Sequence, residues 1–172
     1  MFGNMVKIWH EELFALYRND VKNVTSDMNI SYVPIILENI NWVEELRGKE
    51  YVRQFEKQLA YGDFGYYAII DNIPVAYGWV KHRYSKDFFF KISKECCYLC
   101  RFYTNKNYRG HNIYPCIISE LINHEKECNQ FYIDIEKGNK SSKKGLSKVG
   151  FKKVKDLKFF RAFRITLNKY ML

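Results

Sequence analysis

The segment Tyr108-Arg109-Gly110-His111-Asn112-Ile113-Tyr114-Pro115-Cys116-Ile117-Ile118 limits most strongly what this chain can fold into. Before it, Cys97-Tyr98-Leu99-Cys100-Arg101-Phe102-Tyr103 is rich in aromatic and apolar residues and contains no breaker, as a buried strand requires. After it, Ile113, Ile117, Ile118, Leu121 and Ile122 recur at three-to-four-residue spacing, which predicts a helix burying one face. The residues between are polar and include one glycine. A strand–turn–helix of this kind gathers unpaired backbone N–H groups and the positive end of a helix dipole at one spot, which suits a phosphate or pyrophosphate. Arg109 adds a charge-assisted contact there.

A second segment gives this reading its context. Phe131-Tyr132-Ile133-Asp134-Ile135-Glu136 alternates apolar and polar residues and predicts a strand with one buried face. Asn139, Ser141 and Ser142 are helix-starting residues, Gly150 fits a helix C-terminal turn, and Phe151 begins the next strand.

Together the two segments resemble the GNAT N-acetyltransferase superfamily over about residues 65 to 165. Family members bind the acetyl-CoA pyrophosphate with Arg/Gln-x-x-Gly-x-Gly/Ala, followed later by a strand, Asn-x-x-Ala/Ser, a short helix and Gly-Phe. Arg109 matches the first motif; Asn139, Ser142, Gly150 and Phe151 match the second. Asn112 and Tyr114 depart from the usual Gly and Gly/Ala. Asn tolerates left-handed backbone angles, whereas Tyr114 must point away from the ligand or shift the loop. The Ile-Tyr-Pro after the Arg-Gly turn resembles a subset found with bacterial surface-polysaccharide genes.

The resemblance implies a mixed α/β (α+β) fold, with a twisted, mostly antiparallel sheet splayed in the middle and flanked by helices. It implies direct transfer of an acetyl group from acetyl-CoA, a co-substrate, to a primary amine, with no metal. The implied CoA-binding residues are Phe102, Tyr103, Thr104, Arg109, Gly110, His111, Asn112, Ile113, Tyr114, Asn139, Ser142 and Lys143. A neutral amine must lose a proton as it attacks, so a base is needed. Asp134 is the first choice, with Glu136 on the same face two residues along and Tyr103 and His82 in reserve. Leu146 stands where many members carry the tyrosine that protonates the departing thiolate; Tyr114, Tyr132 or solvent would take that role. The implied acceptor surface is Asn19–Asn41, Asp63-Phe64 and the loop Asp156–Phe160, with an amino-sugar nucleotide as the leading acceptor. The chain would act as a monomer or homodimer. A CoA-binding domain without turnover is the alternative that Asn112, Tyr114 and Leu146 keep open.

Composition agrees with one enzyme-sized domain spanning residues 1–172. The chain is 47% apolar, with 14 Tyr and 13 Phe, which argues against disorder. No apolar run approaches the ~20 residues that span a bilayer. The N-terminus lacks the apolar core of a signal peptide, so the expected location is cytoplasmic. The net charge of +9 invites a nucleic-acid reading, but no nucleic-acid-binding motif accompanies it, and CoA itself carries phosphates. The five cysteines, an odd count, are expected to be reduced. Cys97-x-x-Cys100 has metal-ligand spacing, yet lies within the strand pattern and is assigned to buried packing.

The remaining pattern predicts strands at Glu12–Arg18 (where a helix fits about as well), Ile30–Leu37 (an edge or a bend, because of Pro34), Tyr66–Ile70, Val75–Lys81, Glu95–Thr104 and Phe159–Leu167. It predicts helices at Glu38–Leu46 and Glu50–Tyr61, a turn at Gly62–Gly65 and a polar link at Tyr84–Asp87.

Overall fold

The computed structural model describes residues 7–82, 95–162 and 165–170. The strands are β1 (Lys7–Tyr17), β2 (Ser31–Pro34), β3 (Phe64–Ile70), β4 (Ile73–Lys81), β5 (Cys96–Thr104), β6 (Gln130–Glu136), β7 (Lys152–Ala162) and β8 (Ile165–Tyr170). The helices are α1 (Trp42–Arg47), α2 (Val52–Ala60), α3 (Ile113–His124) and α4 (Lys140–Val149). The strands form one sheet in the order β2-β3-β4-β5-β6-β1-β7-β8, antiparallel except for β5 beside β6. The polar link at 84–87 lies outside the described residues.

Most predicted elements form, and each difference has a physical reason. β1 begins earlier than predicted and lies between β6 and β7, pairing with both. That central place explains why Glu12 to Leu16 are all buried. Glu12 is admitted because Lys143 and Lys153 both pair with its carboxylate. β2 is an edge strand, one of the two outcomes that Pro34 allowed. Phe64 and Gly65, read as part of a turn, pair with Val80 and Trp79 and begin β3. The predicted strand Phe159–Leu167 is corrected to two paired strands, with Ala162 opposite Ile165. Asp156–Phe160 is therefore strand β7, not a loop. Asp71 and Asn72, at φ 50° and 63°, make the tight turn between β3 and β4.

The two faces of the sheet carry different cores. Ile118, Leu121 and Ile122 of α3 and Leu146 and Val149 of α4 pack with Leu99, Phe131, Ile133 and Ile135. Val43, Leu46 and Phe55 of α1 and α2 pack with Tyr67, Tyr77 and Trp79 on the other face. Phe55 meets Tyr77 and Trp79 edge-on, each at 4.9 Å between ring centroids. Among the described residues no helix is long and apolar enough to cross a membrane.

The cysteine expectation is corrected: Cys97 and Cys128 form a disulfide, with Cα atoms 5.8 Å apart. Alternation along β5 separates Cys97 from Cys100, which packs against the α1–α2 side. Gly78 lets Phe102 cross β4, since a Cβ there would sit 2.3 Å from its ring. We expect Gly78→Ala to lose about 1–3 kcal/mol in a urea unfolding midpoint experiment, because the ring must move.

Candidate acyl-transfer site

A parting of two strands builds the site. β5 and β6 pair only at Cys96, Cys97 and Tyr98, opposite Gln130, Phe131 and Tyr132. Beyond that point β5 continues against β4 as far as Thr104, and β6 continues against β1. A bulge accompanies the parting: the β4–β5 register shifts between Tyr77 and Trp79, and Arg101 takes φ 55°. The seven residues from Tyr98 to Thr104 border a slot roughly 20 Å long. Past Tyr98 the β5 edge that faces away from β4 has no ladder to β6, and Phe102, Tyr103 and Thr104 on it border a cleft.

The open end of the slot meets the Arg-Gly turn. Gly110 has φ 97° and Asn112 φ 58°, so both are left-handed, the conformation that Gly and Asn adopt most readily. The first backbone bond into α3 is Cys116 N–H to the Asn112 carbonyl, at 3.1 Å. The N–H groups of Ile113 and Tyr114 precede it at the positive helix end, and Pro115 has none. The turn is tethered to residues 25–27: Asn112 Nδ2 donates to the Thr25 carbonyl, Ser26 Oγ donates to the His111 carbonyl, and His111 Nδ1 lies 2.9 Å from Asp27. Arg109 Nε donates to the Thr104 carbonyl at 3.1 Å. On the other wall, Asn139 Oδ1 accepts from Ser142 N–H at 3.1 Å and caps α4, as its residue type predicted.

The walls enclose a cleft of about 750 Å³. Ten of the twelve residues named for CoA line it: Phe102, Tyr103, Thr104, Arg109, Gly110, Asn112, Ile113, Tyr114, Asn139 and Ser142. His111 and Lys143 are not among its lining residues. His111 is drawn to Asp27, and Lys143 pairs with Glu12 and donates to the Lys137 carbonyl. Sequence reasoning missed Arg47, which lines the cleft from α1 with its guanidinium 4.6 Å from the Tyr103 ring centre. No local pattern could have found it, since only the fold brings α1 to β5. Arg47, Arg109, Lys144 and Lys148 supply four cationic side chains to the lining, and among the described residues no carboxylate does. Tyr114 is accommodated by a small partner: it packs edge-on against Phe102 and lies where a Gly145 Cβ would be 2.6 Å from its ring.

The predicted bases lie on β6, just past the point where the strands part. Asp134 sits opposite Leu13 and accepts a hydrogen bond from Tyr98 of β5. Tyr98 was missed, because its role depends on a cross-strand meeting that spacing does not encode. Burial first, and then the Glu11 carboxyl beside it, push Asp134 up to about 8. Glu11 is itself held by Trp9 Nε1 at 2.8 Å. Glu136 lies at the exposed end of β6, opposite Glu11. Tyr103 stacks on Tyr77 at 5.9 Å within the cleft wall. His82 lies at the other end of β5, 2.7 Å from Glu125. Leu146 is fully buried in the core and offers the cleft no hydroxyl.

The fold matches solved acetyltransferase structures. A GNAT-family acetyltransferase structure from Novosphingobium aromaticivorans aligns with TM-score 0.62 at 13% identity, over 91% of this chain and 66% of its own. The glucosamine N-acetyltransferase region of a fungal multi-domain GH3 β-N-acetylglucosaminidase aligns with TM-score 0.69 at 12% identity, over 94% of this chain and 21% of its own. An aminoglycoside N-acetyltransferase in complex with CoA aligns with TM-score 0.61 at 14% identity, over 76% and 92%. The chain spans less than two thirds of the length of the first two. No family model and no curated protein matches the sequence. The fold is therefore that of the GNAT acetyltransferases, at a sequence distance where only the fold is held in common.

Proposed function

We propose that this protein is an acetyl-CoA-dependent N-acetyltransferase that acts on a primary amine. The observation that carries the proposal is a slot between parted strands that opens into a cleft lined, among the described residues, by cations and no carboxylate. The residues fit CoA: the β5 edge suits an extended amide-bearing arm, and the Arg109–Tyr114 turn suits a pyrophosphate. Acetyl-CoA would supply a thioester carbonyl open to attack.

The chain's own residues do the rest. Arg109, Lys144 and Lys148 neutralise phosphate charge, and the Ile113 and Tyr114 N–H groups orient it. Asp134 takes the amine proton; its raised pKa suits a base working near neutral pH. Glu11 and Glu136 beside it draw a protonated amine toward β6. Solvent returns the proton to the thiolate, because burial raises the Tyr114 phenol and makes it a weaker acid than the thiol. The amine belongs to an amino-sugar nucleotide, whose sugar would rest beside the half-buried rings of Tyr51 and Tyr103 and whose phosphates suit a chain of charge +9.

Thiol release from acetyl-CoA tests this reading across amino-sugar nucleotides, free amino sugars, aminoglycosides, polyamines and peptides. We expect the highest kcat/KM with an amino-sugar nucleotide. Faster release with another amine replaces that acceptor. Tight CoA binding without release for any amine selects the CoA-binding domain without turnover.

A further inference from the structure

At the closed end of the sheet, remote from the cleft, four donor side chains converge. His82 follows β4, Cys97 is in β5, and Glu125 and Cys128 lie in the connection from α3 to β6. One ligand atom from each lies within 4.8 Å of all the others. Cys97, Cys128 and Glu125 are buried, and His82 is partly buried.

We propose that, in the reduced protein, His82, Cys97, Glu125 and Cys128 bind one Zn²⁺ ion, and that this site and the Cys97–Cys128 disulfide are alternative states of the same two sulfurs.

The donor set is the first argument. Two thiolates, an imidazole and a carboxylate form a tetrahedral set for a borderline-soft divalent cation. Ligands 2.0–2.3 Å from a zinc ion stand roughly 3.3–3.8 Å from one another, so rotamer adjustments within the observed cluster suffice. Glu125 and Cys128 are separated by two residues, the short spacing by which one loop supplies two metal ligands.

The surrounding bonds are the second argument. Glu125 Oε1 accepts from the N–H groups of Glu127 and Cys128, at 2.7 and 3.3 Å, while Oε2 faces His82 at 2.7 Å. Arg18 donates to the carbonyls of Ile122, Glu125 and Cys128 and fixes the loop that carries two of the four ligands. Such outer contacts orient metal ligands, and the guanidinium offsets the net negative charge of two thiolates and a carboxylate around Zn²⁺. A disulfide by itself requires neither an imidazole nor a buried carboxylate beside it. Setting that polar pair against the sulfurs costs desolvation, which a shared metal ion would offset.

The chemistry balances through a dithiol. A dithiol reduces the S–S bond by two electrons, giving two cysteine thiols and the oxidised dithiol. Zn²⁺ then binds as both thiol protons leave to solvent. Either state joins β5 to the segment entering β6, beside the Cys97–Phe131 pair and just before the strands part.

Cobalt titration tests the site. The full chain is reduced with a phosphine under anaerobic conditions, stripped with a chelator and titrated with Co²⁺. We expect one equivalent to bind, with thiolate-to-cobalt charge-transfer absorption and the visible bands of a tetrahedral ion, both removed by Zn²⁺. The oxidised chain shows neither. Cys97→Ser lowers the charge-transfer intensity per bound cobalt by about half, leaving one thiolate ligand, His82→Asn weakens binding by at least about tenfold, and Cys116→Ser leaves both unchanged. If the stripped, reduced chain loses its circular dichroism, zinc restores it. A folded reduced chain without cobalt absorption overturns the proposal. So does equal affinity in His82→Asn and Cys116→Ser, or an unfolded reduced chain that zinc fails to restore.

Discussion

Asp134→Asn is expected to lower kcat by about 100- to 10,000-fold, the range for losing a general base, while the acetyl-CoA affinity stays within about twofold. The amide keeps the shape and the Tyr98 contact but cannot accept a proton. The parent kcat/KM should rise with pH through an inflection near 8, because Asp134 acts only when ionised and burial holds its proton to about that value. Glu11→Gln tests the assignment independently. Glu11 raises Asp134 through both its hydrogen bond and its charge, so the inflection should move to lower pH in that variant. Stability carries the opposite sign. The native pKa lies above the unfolded value of about 3.9, so the folded chain binds the extra proton between the two. Asp134's contribution to stability is therefore complete below the unfolded pKa and lost as pH rises through about 8. Denaturation midpoints across that window should fall more steeply for the parent than for Asp134→Asn. A variant with unchanged kcat removes Asp134 from the proposed mechanism.

The sequence revealed those parts of the structure whose causes are local. The strand–turn–helix around Arg109 follows from apolar periodicity on both sides of a polar turn. The Asn139 cap and the left-handed Gly150 follow from residue type. What escaped the sequence depends on which segments meet across the sheet. Nothing in Lys7–Tyr17 indicates that it lies between β6 and β7; its mixture of charged and apolar residues suits a strand or a helix. Only once β1 is central does the Glu12–Lys143–Lys153 cluster make sense, and with it the loss of Lys143 from the cleft. Cys97 and Cys128 are separated by 31 positions, and their pairing depends on β5 running parallel to β6. Tyr98 beside Asp134 and Arg47 over Tyr103 are likewise products of topology. Gly145 offered a readable signal: a small residue in the face of a helix marks close approach, and here it makes room for the Tyr114 ring.

Arg109→Ala should weaken acetyl-CoA binding by about 10- to 100-fold, as expected for the loss of one charge-assisted contact of roughly 1.5–3 kcal/mol. Arg109 is exposed and lines the cleft, and its Nε is occupied by the Thr104 carbonyl at 3.1 Å, which holds the guanidinium there. Lys144 and Lys148 remain in the variant and keep part of the attraction, which is why binding is weakened and not abolished. Calorimetry with acetyl-CoA and with CoA should give the same loss for both, because the contact is to the phosphates and not to the acetyl group. Raising the salt concentration should narrow the gap between parent and variant as the ionic contact is screened. The kinetic signature separates this residue from Asp134. Loss of a contact made equally before and during reaction raises KM for acetyl-CoA and leaves kcat near the parent value, whereas loss of the base lowers kcat. Arg53→Ala, on the exposed face of α2, is the matched control for removing one positive charge outside the cleft lining. Equal affinities in Arg109→Ala and Arg53→Ala would mean that the pyrophosphate does not bind at the Arg-Gly turn, and the acetyltransferase reading would lose the feature on which it rests.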